Sequence, residues 1–195
     1  MKLFRKIKSI IPTYQKHGID GLVYATLKNL KINTKFNSII EKKKFYIGKK
    51  IMEISNKEVI SGIYKSTKLT CKTHWGGLEI SSKLVGFYEQ QVQEKIIFLK
   101  KKFNLEYLIN FGSGDGYHLI GLLKNNYFKF GVAFELDDSG MAQIQENAKL
   151  NKIEKKVVIF GKANFDKVSN ILDENKLKKT LFLVDIEGAE FDLFN

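Results

Sequence analysis

The second half of the chain repeats one pattern, a short apolar run followed by a turn and a helix, and this repeat limits the fold more than any other feature. The apolar runs contain almost no polar side chains, and they lie at 107–111, 130–134, 157–160 and 181–184. Apolar strands that alternate with helices are typical of a parallel sheet covered on both faces. The sequence therefore predicts a doubly wound α/β domain, whose ligands bind beyond the carboxyl ends of the strands.

The first 82 residues lack this repeat, and we expect them to form a basic N-terminal extension of helices and short strands. The α/β domain then occupies residues 83–195. β-branched residues interrupted by glycine and asparagine predict short strands or hairpins between Phe45 and Leu69. The spacing of apolar residues predicts helices at 2–11, 19–30 and 83–102.

Positive charge is concentrated in the N-terminal half. Residues 1–104 hold 22 Lys and Arg against 7 Asp and Glu, whereas residues 105–195 hold 11 against 14. A basic half can steer a protein toward polyanions such as RNA or anionic lipid headgroups. Among the 33 basic residues only Arg5 is arginine, so the arginine forks that read bases are missing. Nucleic acid is therefore the less favoured partner.

Composition excludes several other classes of protein. The single Cys71 cannot form an intrachain disulfide, and no Cys/His group has the spacing of a zinc site. No apolar run approaches the roughly 18 residues that cross a bilayer, and charges between Met1 and Lys8 interrupt any signal-peptide core. Apolar residues make up 44% of the chain, enough to build a core. We expect a soluble, cytoplasmic protein.

A glycine-rich motif follows the first predicted strand and precedes a helix. It reads Asn-Phe-Gly-Ser-Gly-Asp-Gly over residues 110–116. Glycine permits positive φ and lets a ligand approach the backbone closely. Dinucleotide sites need Gly-x-Gly-x-x-Gly, but Tyr117 stands where the third glycine would be, and the Gly-Lys-Ser/Thr of a P-loop is missing. The motif predicts a ligand site of another kind.

Acidic residues follow the second and fourth predicted strands. Glu135 ends the second strand, where an acid can accept hydrogen bonds from both hydroxyls of a ribose. The string Asp-Ile-Glu-Gly-Ala-Glu at 185–190 follows the fourth. Asp185 and Glu187 are candidate catalytic carboxylates, as a general base or as oxygen ligands of a divalent ion, although no metal site is assigned. Asp138 or Ser139 is expected to cap the helix after Glu135.

Together these motifs resemble those of class I S-adenosylmethionine-dependent methyltransferases, and the string at 185–190 resembles the FkbM-type branch. The resemblance implies a Rossmann-like methyltransferase fold with S-adenosylmethionine as cofactor and Glu135 on its ribose. Ala163 and Asn164 would lie beside the adenine. The contacts to the methionine part would come from Asn110, Gly112, Ser113, Gly114 and Gly116. Related proteins usually have an acid at the position of Asn110, whose amide can still accept a hydrogen bond.

The resemblance also implies methyl transfer to an oxygen, with a glycan or small-molecule hydroxyl as acceptor and Asp185 as base. Two alternatives stay open at this point. RNA is an alternative acceptor, docked on the basic N-terminal half, and a chain that binds adenosine nucleotides without catalysis is the other. The family fold has seven strands, so the end at Asn195 predicts a core truncated after the fourth. His74 and His118 are interpreted as surface or packing residues.

Overall fold

The computed structural model describes residues 35–71, 77–186 and 188. The helices predicted at 2–11 and 19–30 lie outside these residues, and so does Glu187. The chain divides into two units, residues 1–46 and 47–195, and the second contains the sheet.

The described elements alternate between helix and strand from β1 onward. In chain order they are α1 (Lys35–Ser55), α2 (Gly77–Val85), α3 (Gln90–Phe103), β1 (Tyr107–Phe111), α4 (Tyr117–Lys124), β2 (Phe130–Phe134), α5 (Asp138–Leu150), β3 (Val157–Phe160), α6 (Phe165–Ser169), α7 (Glu174–Leu177) and β4 (Thr180–Val184). A short 3₁₀ helix, Glu154–Lys156, precedes β3. Within the described ranges, no helix is both long and apolar enough to span a membrane.

The four strands form one parallel sheet in the order β3-β2-β1-β4. The chain moves outward from β1 to β3 and then crosses back to place β4 beside β1, so the topological switch point lies between β1 and β4. Phe111 is paired with Phe134 on one side and with Val184 on the other, and Phe134 is paired with Phe160. The strands therefore end in one row.

Helices and loops cover both faces of the sheet. On one face, strand residues such as Leu108 and Ala133 pack with residues of α2, α3, α4 and α5. On the other face, Phe111 and Phe134 pack with Val168 of α6 and with residues that follow it. Burial on both faces explains why the strands are continuous apolar runs. The predicted doubly wound α/β sheet is confirmed.

The strands predicted from Phe45 onward are wrong for residues 45–55, which belong to α1. Ile47, Ile51 and Ile54 are spaced by four and three residues, and this is the period of a helix rather than of a strand. Beyond α1, an isolated antiparallel bridge joins Glu58 and Lys68. The expected hairpin is therefore reduced to one pair of residues in the described segment 56–71.

The single helix predicted at 83–102 is also wrong, because α2 ends at Val85 and α3 begins at Gln90. Gly86 lies between them with a φ of 93°, and a β-carbon on it would be 2.2 Å from the carbonyl oxygen of Ser61. This close contact with an earlier segment requires glycine. Local periodicity carries no signal for such a contact.

The predicted boundary between residues 82 and 83 falls inside α2. Ile80 and Leu84 of this helix pack in the same core as Val59, Tyr64 and the strand residue Leu108. The segment before α2 thus shares a core with the sheet.

Candidate functional site

The carboxyl edge of the sheet brings predicted site residues together. Because the last residues of the strands are paired in one row, the residues that follow them share one edge, and these are Gly112, Glu135, Gly161 and Asp185. Backbone hydrogen bonds continue past the strands, since the N–H of Glu135 donates to Phe160 O and that of Asp185 donates to Phe111 O, each at 3.0 Å. The hydrogen-bonded ladder of the sheet therefore extends to Glu135 and Asp185 themselves.

The glycine loop, residues 112–116, turns the chain from β1 into α4. Gly112, Gly114 and Gly116 have φ values of 73°, 55° and 78°, in the left-handed region that glycine adopts without strain. Ser113 closes the loop, because its Oγ donates to Asn110 O at 2.8 Å and its own carbonyl accepts from Gly116 N at 2.8 Å. A β-carbon on Gly114 would meet no atom within 4 Å. The middle of the loop thus faces open space from which a ligand can approach the backbone.

Gly112 allows the glycine loop to lie directly against the end of β4. A β-carbon at Gly112 would be 1.7 Å from the carbonyl oxygen of Asp185 and 3.1 Å from Cγ2 of Ile186. Asp185 is held in this way beside the loop, at the switch point between β1 and β4, and its side chain is exposed. Glu187 lies outside the described residues, so its catalytic role stays a prediction.

Glu135 links the second strand to the glycine loop. Its Oε2 accepts a hydrogen bond from Gly114 N at 2.6 Å, and its Oε1 accepts one from Asp137 N at 3.0 Å. An ionised carboxylate offers about four acceptor positions, so the partly exposed Glu135 keeps capacity for hydroxyl donors. The side chain that caps α5 is Asp137, which accepts from Gly140 N at 2.9 Å, and not Asp138 or Ser139 as predicted.

Asn110 lies inside the sheet, beneath the loop. It is 3% exposed, and its amide nitrogen makes long contacts of 3.4 Å with the carbonyl oxygens of Phe111 and Leu183. The side chain therefore spans the junction of β1 and β4. A direct contact between Asn110 and a ligand stays a prediction.

The turn after β3 holds the two residues predicted beside the adenine. The side-chain oxygen of Asn164 accepts from the N–H groups of Asp166 and Lys167 and so caps α6. Ala163 packs against the core on that face of the sheet. Asn164 thus has a structural role of its own, and the adenine contacts of both residues stay predictions.

A buried lysine beside the glycine loop is part of the site that the sequence analysis missed. The Lys83 side chain on α2 is 7% exposed, and its Nζ lies 2.8 Å from Asp115 Oδ2 and 2.9 Å from Glu79 Oε1. Burial by itself lowers the pKa of a lysine, but the two carboxylates outweigh this effect and hold the pKa of Lys83 above its ordinary value. Lys83 is therefore charged. In the sequence, the acid Asp115 within the glycine motif was the one sign that a basic partner lies beside the loop.

His118, in the first turn of α4, connects three segments. One ring nitrogen, Nδ1, lies 2.9 Å from the hydroxyl of Tyr64, and Nε2 lies 2.8 Å from Oε2 of Glu89. The hydrogen bond with His118 holds the pKa of the Glu89 carboxyl below its ordinary value. Tyr64 is fully buried, so no substrate can reach the phenol end of this chain of contacts. The geometry agrees with the interpretation of His118 as a packing residue.

The described residues contain no group of three or more His, Cys, Asp or Glu side chains that could hold a metal ion. The pair formed by Asp185 and Glu187 stays a prediction, because the second residue lies outside the described residues.

No family model and no curated protein matches the chain. Several solved structures are similar to it. One of them is a caffeoyl-CoA O-methyltransferase candidate from Staphylococcus aureus, which is 15% identical to this chain. The alignment covers 44% of this chain and 41% of that protein, with a TM-score of 0.38. An O-methyltransferase family protein from Burkholderia thailandensis is 14% identical over 45% of this chain and 25% of that one, at a TM-score of 0.34.

A third structure is the geranyl diphosphate C-methyltransferase of Streptomyces coelicolor A3(2), which contains S-adenosyl-L-homocysteine and Mg²⁺. It is 10% identical, with 68% of this chain covering 50% of that one at a TM-score of 0.35. The chain thus spans half or less of the length of each of these three proteins. Likeness at this level carries no argument about activity, which has to be argued from the site itself.

Proposed function

We propose that this chain is a class I S-adenosylmethionine-dependent methyltransferase of the FkbM type, which methylates a hydroxyl oxygen of a glycan or small molecule. One observation carries the proposal. A glycine loop with three positive φ angles is hydrogen-bonded to the acid that follows the neighbouring strand, and a second acid lies against the same loop at the switch point of the sheet. This is the place where open parallel sheets bind their ligands.

The residues at this edge fit the cofactor. The open side of Gly114 gives the methionine part access to the backbone. Glu135 retains acceptor capacity for the ribose hydroxyls, and Leu136, which is 76% exposed beside it, offers an apolar surface for the adenine. Ala163 and Asn164 would border the base from the turn after β3.

In the proposed reaction the protein forms no covalent bond with either substrate. S-adenosylmethionine supplies a methyl group on a sulfonium, which is already a good electrophile. The protein has to orient the acceptor, a contribution of roughly 7–11 kcal/mol in well-aligned reactions, and to remove the hydroxyl proton. We assign the role of general base to Asp185, whose carboxylate would accept this proton and is exposed at the carboxyl edge of the sheet. A divalent ion held by Asp185 and Glu187 would be a second way to lower the pKa of the hydroxyl.

Calorimetric titration of the chain with S-adenosylhomocysteine tests the proposal, with NADH as the control ligand. We expect saturable binding of the first ligand alone. In Glu135→Gln, which keeps the size of the side chain but removes its charge, affinity should fall about tenfold or more, because hydrogen bonds to charged groups contribute roughly 1.5–3 kcal/mol each. Glu154→Gln changes an exposed acid at the other end of β3 and should bind like the wild type. A chain that is folded by circular dichroism and binds neither ligand would refute the proposal.

A further inference from the structure

The burial of Lys83 is unusual, because the other lysines whose burial the structure describes are exposed or partly exposed to solvent. Lysine is almost never buried unless it is paired. The two carboxylates that pair with Lys83 come from different places, Glu79 from one turn earlier in α2 and Asp115 from the glycine loop. The Nζ also lies 4.8 Å from the ring centroid of Tyr88, so its surroundings are partly aromatic.

Asp115 connects this lysine to the backbone of the loop. The residue stands between Gly114 and Gly116, which both have positive φ. One carboxylate oxygen contacts Lys83, and the other accepts from Tyr117 N at 3.1 Å, where α4 begins. Glycine-rich backbone loses much conformational freedom when it is ordered, so a fixed loop shape needs compensating contacts. The Lys83–Asp115 pair is such a contact.

Two further hydrogen bonds hold the same stretch of chain. The hydroxyl of Tyr117 donates to the carbonyl oxygen of Lys83 at 3.1 Å and so connects α4 directly to α2. The carbonyl oxygen of Asp115 accepts from Asn147 Nδ2 of α5 at 2.9 Å. The loop is therefore held by both α2 and α5, and Lys83 supplies an ion pair to it.

We propose that Lys83 is a positioning residue for the cofactor: through Asp115 it holds the glycine loop in its binding shape without itself touching the ligand. The inference rests on the proposed function, since it takes the loop as the site of S-adenosylmethionine. It assigns to α2, a helix outside the α/β repeat, a part in cofactor affinity.

The test compares Lys83→Met with the wild type and with Lys129→Met. Methionine keeps most of the lysine stem and removes the charge. Lys129 makes an exposed ion pair with Glu106 at the amino end of the strands, so the same substitution there is a matched control. All proteins are studied at a temperature at which circular dichroism shows them folded.

Two readouts separate positioning from mere stabilisation. In Lys83→Met we expect amide hydrogen exchange to become faster at Gly114 and Tyr117 but not at Leu108 within β1, and S-adenosylhomocysteine to bind about tenfold more weakly or worse. Lys83→Arg, which can keep both carboxylate contacts, should restore affinity to within a few-fold. Lys129→Met should change neither readout.

If Lys83→Met does not fold, Asp115→Asn removes the same ion pair from the other side and should give the same two effects. A folded variant with wild-type affinity, or with unchanged exchange in the loop, would overturn the inference and leave the proposed function intact. A folded wild-type chain that does not bind S-adenosylhomocysteine would instead overturn the proposed function, whereas the exchange data would still report how the ion pair affects the loop.

Discussion

Asp185 owes its position to Gly112, the glycine that follows β1. Because Gly112 has no β-carbon, the Asp185 backbone lies against the glycine loop, and the exposed carboxylate follows the last residue of β4. Asp185→Asn keeps the shape of the side chain and removes the proposed base. We expect methyl transfer to fall by about 10²-fold or more, the usual contribution of a general base, with S-adenosylhomocysteine affinity within a few-fold of the wild type.

The measurement is transfer of labelled methyl to an acceptor found by screening with the wild type. Glu174→Gln, an exposed acid ahead of β4, serves as the control and should retain full activity. Unchanged turnover in Asp185→Asn would remove this residue from the mechanism. A wild-type chain that binds the cofactor but methylates no acceptor would favour the non-catalytic alternative.

Residues that follow strands could be predicted, whereas contacts between distant residues could not. Gly112, Glu135 and Asp185 were found from the sequence because a parallel sheet brings the carboxyl ends of its strands to one edge. Lys83 meets Asp115 across 32 residues, and although the acid in the glycine motif is visible in the sequence, no local pattern identifies Lys83 as its partner. The signal for such contacts lies in the folded packing rather than in the spacing of residues.

At the scale of elements, α4 depends on a glycine that its helical propensity would disfavour. A β-carbon on Gly121 would lie 2.4 Å from Cγ of the buried Tyr64 ring. Alanine gains about 1 kcal/mol in helix propensity over glycine, but the ring has no room to move in a packed core, and overpacking costs typically 1–3 kcal/mol or more. Gly121→Ala should therefore lower the free energy of unfolding.

Urea denaturation measures this effect, and a second background shows its cause. In Tyr64→Ala, where the ring is gone, the added methyl group has space, so Gly121→Ala should become neutral or stabilising. A loss of stability of equal size in both backgrounds would mean that the clash with Tyr64 is not the reason.

Elements were predicted well where burial alone sets the pattern and poorly where packing decides. All four strands of the sheet were found as apolar runs, and the one difference is that β4 begins at Thr180 instead of Leu181. The extension was harder, because its β-branched residues favour a strand whereas the spacing of Ile47, Ile51 and Ile54 is that of a helix, and the structure follows the spacing. The break at Gly86 depends on Ser61, which lies in a different segment. Short apolar patterns do not carry that information.

At the scale of the whole molecule, buried phenols set how stability changes in alkali. Tyr64 and Tyr117 are at most 2% exposed and pack edge to face at 5.1 Å. Burial raises the pKa of both phenols well above the ordinary value of 10.0. The unfolded chain therefore loses these protons first as the pH rises. Stability contributed by the two neutral phenols is complete below about pH 10 and declines above it.

The decline should be steeper in the wild type than in Tyr64→Phe. Each phenol that ionises only on unfolding adds a slope of up to about 1.4 kcal/mol per pH unit, and the variant lacks one of them. At pH 7, where the phenols are neutral in both the folded and the unfolded chain, the wild type should be the more stable protein. Tyr64→Phe loses the hydrogen bond to His118 and should be about 1 kcal/mol less stable. Urea denaturation between pH 7 and about pH 11.5 follows both effects, and the stability curves of the two proteins should converge as the pH rises. Parallel curves would show that Tyr64 ionises equally in the folded and unfolded chain, and so that the core around α4 is open to water.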